Sequence, residues 1–235
     1  MSSHRFLFFD AGTRADSTIV TLTGDEHQHL AYSLRCAPND VVFVTNGCGL
    51  ILECRVQAVA RSATVAGVVA IVENHPPGPE RILALGTIKK DKFEHAFEQC
   101  AELGITRFVP FVSENARLKA YTGRFLSRLR KIGVAAIKQS FRSVLPAVDA
   151  PVTFEELLEM ARSMPRVVAG GQESPHPPAF DAQDTLVVVG PEAGLSAAEV
   201  QSLEDAGARF AGVSPHRLRS ETAAVALVAA MWRRD

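Results

Sequence analysis

Two stretches toward the C-terminus, Val189–Glu199 (VGPEAGLSAAE) and Ser214–Ala226 (SPHRLRSETAAVA), decide the fold. The first reads as an apolar strand, Leu186–Val189, a tight Gly190-Pro191 turn, and a helix capped by Ser196. Glu199 stands three residues on, the reciprocal capping-box arrangement. The second stretch repeats the strand-loop-helix plan. Two loops of this kind, each carrying a strand into a helix, suggest one pocket for a small polar ligand.

Working outward, the same alternation fills the rest of the C-terminal part. Ile82–Leu85 reads as a strand. Asp91 is expected to cap a helix with Phe93, Ala96, Phe97, Cys100 and Leu103 on one face, ended by Gly104. A strand over Thr106–Val112 follows, then a basic helix over Gly123–Ser140 and a shorter one over Phe154–Met164, with strands recurring at Val167, Thr185 and Arg209. This is an α/β pattern with a mainly parallel sheet. The loop Gly170–Asp184 is polar and broken by proline, as a loop that wraps a ligand would be.

Residues 1–74 have a different texture. Short β-branched runs at Thr18–Leu22, Val41–Thr45, Leu50–Val59 and Val65–Val72, with an Asn46-Gly47 turn between two of them, suggest a small barrel. His27–Cys36 interrupts as a short helix stopped by Pro38. The run His75-Pro76-Pro77-Gly78-Pro79 can continue neither a helix nor a central strand, so 75–80 is taken as the linker and 81–235 as the second domain.

The chain has 235 residues, of which 47% are hydrophobic and 22% charged, enough to bury roughly 70% of its unfolded surface. No apolar run reaches the roughly 20 residues that span a bilayer, so no membrane association is expected. MSSHRFLFFDAGTR lacks the succession of a secretion signal, and a cytoplasmic location is the expectation. Cys36, Cys48, Cys54 and Cys100 form neither a CxxC pair nor a disulfide framework. His27 and His29 have no third ligand nearby, so no metal is expected.

Net charge is −1, which argues against a protein that coats nucleic acid through its overall field. Distribution matters more. Asn115–Val148 holds no acidic residue and eight cations, Arg117, Lys119, Arg124, Arg128, Arg130, Lys131, Lys138 and Arg142. Such an unbroken tract points to phosphate binding. Neither G-x-G-x-x-G nor G-x-x-x-x-G-K-[ST] occurs, which counts against dinucleotide and nucleoside-triphosphate sites.

On these residues the chain resembles the SPOUT-class RNA methyltransferases, and among them the bacterial 16S ribosomal RNA uracil-N3 methyltransferase family. HQHLAYSLRCAPND is similar to the family's H-L-x-x-V-L-R…G-D stretch through His29, Leu30, Leu34, Arg35 and Asp40. KKDKFEHAFEQCAELGITRFVPFVSENARLK is similar to its K…E-L-G…I-x-P…S-E-R region, and KQSFRSVLP to its E-Q-s-g-R…P segment through Gln139, Ser140, Arg142 and Pro146. VGPEAGLSAAE and RLRSETA resemble its G-P-E-G-G-L-S…E and I-L-R-T-E-T-A.

The resemblance implies a PUA-like β-barrel joined to a SPOUT-type α/β domain with a trefoil knot. It also implies S-adenosylmethionine bound bent between backbone loops at a homodimer interface. Ala169, Gly170, Gly190, Pro191, Glu192, Gly194, Leu195, Val213, Leu218, Ser220 and Thr222 are the expected cofactor contacts. Ribosomal RNA of the small subunit is the expected partner, contacted by Arg5, His29, Arg35, Arg117, Lys119, Arg124, Arg128, Lys131, Gln139 and Arg142.

Methylating uracil N3 removes a proton, so the site needs a base or a cation that stabilises the uracil anion. Arg219 is the candidate cation; Glu221 and Glu192 are the candidate bases, with His216 behind them. Each also has a plainer reading: both carboxylates fall near helix starts, and Arg219 could bind a phosphate or pair with Glu221. Several positions depart from the family. Ala193 stands where the family has glycine, at a cost of roughly 1–2 kcal/mol if its φ is positive. Lys138 replaces Glu, Phe141 replaces Gly, Gln99 replaces Lys, and Ser214, His216 and Arg217 replace Gly, Arg and Ile. The competing readings are a methyltransferase for another RNA base and a catalytically silent RNA-binding or ribosome-assembly protein on the same scaffold.

Overall fold

Burial alternates from the N-terminal end, with Val20 and Leu22 inward from Ile19–Thr23 and their neighbours outward, the two-residue period of a half-buried strand. The computed structural model describes residues 6–76, 78–116, 121–171, 174–177 and 179–232. Its contacts divide at Pro77/Gly78 into two compact units.

The first unit is a single sheet of β1 (Leu7–Phe9), β2 (Ile19–Thr23), β3 (Val41–Thr45), β4 (Leu50–Val59) and β5 (Ala63–Asn74), in the order β1-β3-β4-β5-β2. Only the β1/β3 pair is parallel. Register shifts along the β4/β5 pair, the signature of bulges, bend those strands. The sheet curls around Phe8, Leu22, Leu30, Val44 and Leu52. β1, three residues long, carries too little pattern to be read from sequence.

Between β2 and β3, the single helix expected over His27–Cys36 is instead α1 (Gly24–Gln28) followed by a π-helical turn over His29–Ser33. The Leu34 amide donates to the His29 carbonyl and the Cys36 amide to the Leu30 carbonyl, with Arg35 left-handed at φ 55°. That reversal, not Pro38, ends the turn.

The second unit contains β6 (Arg81–Gly86), α2 (Lys90–Glu102), β7 (Arg107–Val112), α3 (Gly123–Ser140) up to Ala136, β8 (Ala147–Val148), β9 (Val152–Thr153), α4 (Phe154–Ser163), β10 (Arg166–Gly170), β11 (Thr185–Val189), α5 (Ala197–Asp205), β12 (Arg209–Ala211) and α6 (Ser220–Met231). Its sheet, in the order β12-β10-β11-β6-β7-β8 with β9 also on β7, is parallel throughout. Leu83, Leu85, Phe108 and Val187 pack on one side with Phe93, Phe97, Leu129 and Val228 of α2, α3 and α6. Ile82, Val109, Phe111 and Val188 pack on the other with Leu157 of α4 and Leu203 of α5. A sheet covered on both faces needs strands that are apolar at every position, and β11 (TLVVV) is buried at all of them.

Two local expectations are corrected. The N-cap position of α2 is Lys89, with no side-chain cap, and Asp91 lies inside the first turn, where its charge still favours the macrodipole. Residues 137–145, which the sequence reading places in the second domain, cluster with the first unit. There the Gly49 amide donates to the Ser143 carbonyl, the Leu145 amide to the Gly47 carbonyl, and Phe141 packs edge-on against Phe43 with ring centroids 5.2 Å apart. Among the described residues, no helix is long and apolar enough to cross a membrane.

Candidate active site

The C-terminal ends of β10, β11 and β12 open into a cleft of about 600 Å³. In a parallel α/β sheet this edge is where strand ends and helix N-termini leave backbone amides free for a ligand. Gly170 ends β10 and Gly171 follows it, Val189 ends β11 and Gly190 follows it, and Ala211 ends β12 and Gly212 follows it. The turn Gly190–Leu195 and the segment 213–220 running into α6 complete the walls.

The first wall depends on two glycines. A Cβ on Gly86, at the end of β6, would lie 2.6 Å from the Pro191 nitrogen and Cδ, so the strand can pass under the turn only without a side chain. Gly194 takes φ +77°. Ala193 is absent from the left-handed residues, so the strain considered for it does not arise; the turn places its positive φ one residue later.

Ser196 and Glu199 form the expected capping box at the start of α5. Glu199, only 5% exposed, also accepts from the Ser113 hydroxyl at 2.9 Å and the Glu114 amide at 2.9 Å. These donors offset the cost of burying a carboxylate and tie the loop after β7 to the cleft's turn. Asn115 Nδ2 adds a bond to the Gly194 carbonyl at 3.4 Å. Across the opening, Arg217 Nη2 donates to the Glu192 carbonyl at 3.4 Å, linking the two loops that the sequence singles out.

Of the candidate catalytic residues, Arg219 and Glu192 line the cleft and are exposed; Glu221 does not line it. Glu221 is 9% exposed, and its Oε1 accepts from Lys92 Nζ at 2.7 Å while Oε2 is buried with no hydrogen-bond partner. Burial opposes its ionisation. The Lys92 hydrogen bond, the helix-start amide and the charges of Lys92 and Arg219 more than offset that, holding the carboxyl below its ordinary value. A carboxylate so held is a weak proton acceptor.

The expected cofactor contacts divide similarly. Gly170, Gly190, Pro191, Glu192, Gly194, Leu195, Val213, Leu218 and Ser220 line the cleft, whereas Ala169 is buried in the sheet and Thr222 is exposed and does not line it. Gly171, Ser174, Gly212, Ser214 and Arg217 also line it and were not among the expected contacts. The signal for the glycines was present, since each follows a short strand as Gly190 follows β11.

The expected RNA contacts fall in both units and differ in how free they are. Arg124 and Lys131 are exposed on α3, but Arg128 is engaged by Glu94, with Nε and Nη2 donating at 2.5 and 3.0 Å. Arg35 is exposed and Gln139 is exposed in the first unit, Arg142 is half-buried there, and His29 leans on Phe8 with ring centroids 5.8 Å apart. Arg5, Arg117 and Lys119 lie outside the described residues.

A glycine-edged cleft at the carboxyl ends of a parallel sheet is where this architecture binds ligands, and comparison with known proteins gives the class of protein. Residues 76–232 match the RNA methyltransferase domain family, and the chain belongs to it. It is 31% identical over 163 residues to the ribosomal RNA small subunit methyltransferase E of Mesomycoplasma hyopneumoniae, covering 66% of this chain and 70% of that one. It is 27% identical over 223 residues to the protein of the same description from Bacillus subtilis, covering 88% and 87%. Among solved structures, ribosomal RNA small subunit methyltransferase E from Neisseria gonorrhoeae bound to S-adenosyl methionine shares the fold, with a TM-score of 0.83, 24% identity and 97% of both chains covered.

Proposed function

We propose that this protein methylates N3 of a uridine in 16S ribosomal RNA of the small subunit, using S-adenosylmethionine. The observation that carries the reading is the cleft, in which glycine-edged strand ends, the Gly190–Leu195 turn and Arg219 face one volume. The residues present fit the cofactor. Leu195, Val213 and Leu218 offer apolar contact to an adenine, and the glycines leave main-chain donors and acceptors within reach of ribose and amino-acid groups. Bound there, S-adenosylmethionine supplies a methyl group activated by its sulfonium. The rest of the task is positioning and proton removal.

Arg219, at the N-cap position of α6, provides a fixed cation beside which uracil loses its N3 proton more easily. Glu192 lines the same cleft and is the better placed carboxylate to receive that proton, because Glu221 is committed to Lys92. The first unit is a PUA-like barrel that binds RNA, and the cations of α3 bind RNA phosphates. The α/β unit is a trefoil-knotted SPOUT domain, and the protein works as a homodimer in the cytoplasm. Supporting the dimer, Val225, Ala226 and Ala229 leave an apolar stripe of α6 half-exposed in one chain.

Incubating the protein with small subunits lacking the modification and labelled cofactor, then mapping the label, tests the assignment. Label on a uridine N3 is the expected result; label on another base overturns the specificity. No transfer, together with no heat on titrating millimolar cofactor, overturns the enzyme reading. In the same assay Arg219→Ala is expected to reduce turnover about 10²–10³-fold, the scale of losing one charge-stabilising donor, with cofactor affinity within a few-fold.

A further inference from the structure

Tyr32 is 61% exposed, the most exposed large apolar side chain among the described residues. It does not lie on a smooth surface. It projects from the π-helical turn His29–Ser33, a rare geometry that recurs at functional sites. The turn is anchored from below, by Leu30 in the core and by His29 on the Phe8 ring.

The ring is also held from the side. His27, 2% exposed, meets Tyr32 edge-on, with ring centroids 6.0 Å apart and planes at 78°. His27 is itself fixed by Thr64 Oγ1 at 2.9 Å and by the Arg61 carbonyl at 3.3 Å, which Nε2 must serve as donor because a carbonyl only accepts. An aromatic ring exposed to water yet oriented by a buried partner has little freedom to lose when something stacks on it. Three residues further on, exposed Arg35 is kept left-handed, a conformation that costs a non-glycine residue free energy and marks positions held for function.

We infer that Tyr32 is a stacking platform for an unpaired nucleobase of the RNA, with Arg35 taking an adjacent phosphate. The inference rests on the RNA methyltransferase reading and deepens it, adding to the basic residues a base contact that charge alone does not supply. Single-stranded RNA presents splayed bases to aromatic faces, and its backbone to arginine. In the H-L-x-x-V-L-R pattern of the resembled family Tyr32 falls on an unspecified position, so the platform is a property of this chain.

The test uses the full chain and a labelled, unstructured 12-nucleotide RNA, alongside the same strand with abasic sites. Binding is read by anisotropy across a salt series. Tyr32→Ala is expected to weaken binding of the base-bearing strand about 5- to 100-fold, the range of one lost stack, while Tyr32→Phe retains it. Tyr32→Ala leaves the salt slope and abasic affinity unchanged. Arg35→Ala weakens both strands and lowers the slope by about one phosphate contact.

Equal affinity of wild type and Tyr32→Ala for the base-bearing strand overturns the platform, as does an equal loss on the abasic strand. So does a loss confined to intact small subunits, which would place a ribosomal protein on the ring. These outcomes leave methyl transfer by the wild type intact. Failure of the wild type both to bind RNA and to transfer methyl would instead remove the reading beneath the inference.

Discussion

The two units handle irregular backbone in opposite ways. Among the described residues, every left-handed position in the second unit is a glycine, Gly104, Gly194 and Gly207. The first unit uses Gly24, Gly47 and Gly49 but also forces Arg35, Asn39 and Phe141 into that region. Each non-glycine residue there costs about 1–2 kcal/mol, less for asparagine. Among the described residues the first unit also exposes six large apolar side chains, Ile19, Tyr32, Val41, Val69, Ile71 and Val72, against Trp232 alone in the second. The unit with the cleft thus spends glycine so that backbone can approach backbone and ligand. The smaller one accepts strain where a side chain has to be displayed or packed.

The sharpest break of that contrast is Gly86→Ala. Its Cβ would meet the Pro191 nitrogen and Cδ at 2.6 Å, and neither is the end of a flexible side chain that could move aside. The variant is expected to lose about 1–3 kcal/mol in denaturant unfolding, the scale of overpacking. Because the displaced atoms form the wall of the cleft, cofactor affinity in calorimetry should fall at least about 10-fold, some 1.4 kcal/mol. A variant that kept its affinity while losing stability would show that the turn is scaffold only.

A second comparison matches two ion pairs. Lys92–Glu221 in the second unit and Lys138–Glu26 in the first are both 2.7 Å apart and mostly buried. Glu26 has a further donor, the Phe9 amide at 3.2 Å, whereas Glu221 Oε2 has none. Lys92→Met should therefore destabilise more than Lys138→Met, by about 1–3 kcal/mol at pH 7, since it strands a buried carboxylate. The Glu221 carboxyl titrates below its ordinary value in the folded chain. Its contribution is present above the unfolded value of about 4.3 and is lost as pH falls through the lower folded one. In Lys92→Met burial is opposed by less charge and the carboxyl shifts upward, so the gap from wild type should narrow toward pH 4. A gap independent of pH would mean that Lys92 acts through packing alone.

These contrasts also mark what was legible in the sequence. The boundaries of β4, α3 and the capping box at Ser196 follow from local pattern, because β-branched alternation, an unbroken amphipathic run and a serine with glutamate three residues on act over a few neighbours. The cleft was legible as two strand-loop-helix units, but Gly171 and Gly212 were not assigned to it, although each follows a strand end. Long-range pairings were not legible. Nothing local indicates that Glu221 meets Lys92, 129 residues away, or that Arg128 is engaged by Glu94. Residues 137–140 read as the end of a basic helix, and only the hairpin at Gly47 and Gly49, nearly a hundred positions earlier, explains why 137–145 fold with the first unit.

The smallest effects bear on the strain itself, through paired alanine and glycine substitutions. At an ordinary position glycine is less stable than alanine by about 0.5–1 kcal/mol, from the entropy of the unfolded chain. At a left-handed position the order reverses, because alanine retains the Cβ penalty. Phe141, at φ 55°, packs with Leu7, Phe43 and Ile51. Both Phe141→Ala and Phe141→Gly lose that contact, but the glycine variant should be the more stable by about 1 kcal/mol. Ala193 has no positive φ, so Ala193→Gly, which restores the family's residue, should destabilise by a few tenths to about 1 kcal/mol instead of relieving strain. Opposite signs at the two positions in denaturant unfolding would establish that strain is carried by the first unit and absent from the turn of the cleft. Equal signs would remove the distinction between the units.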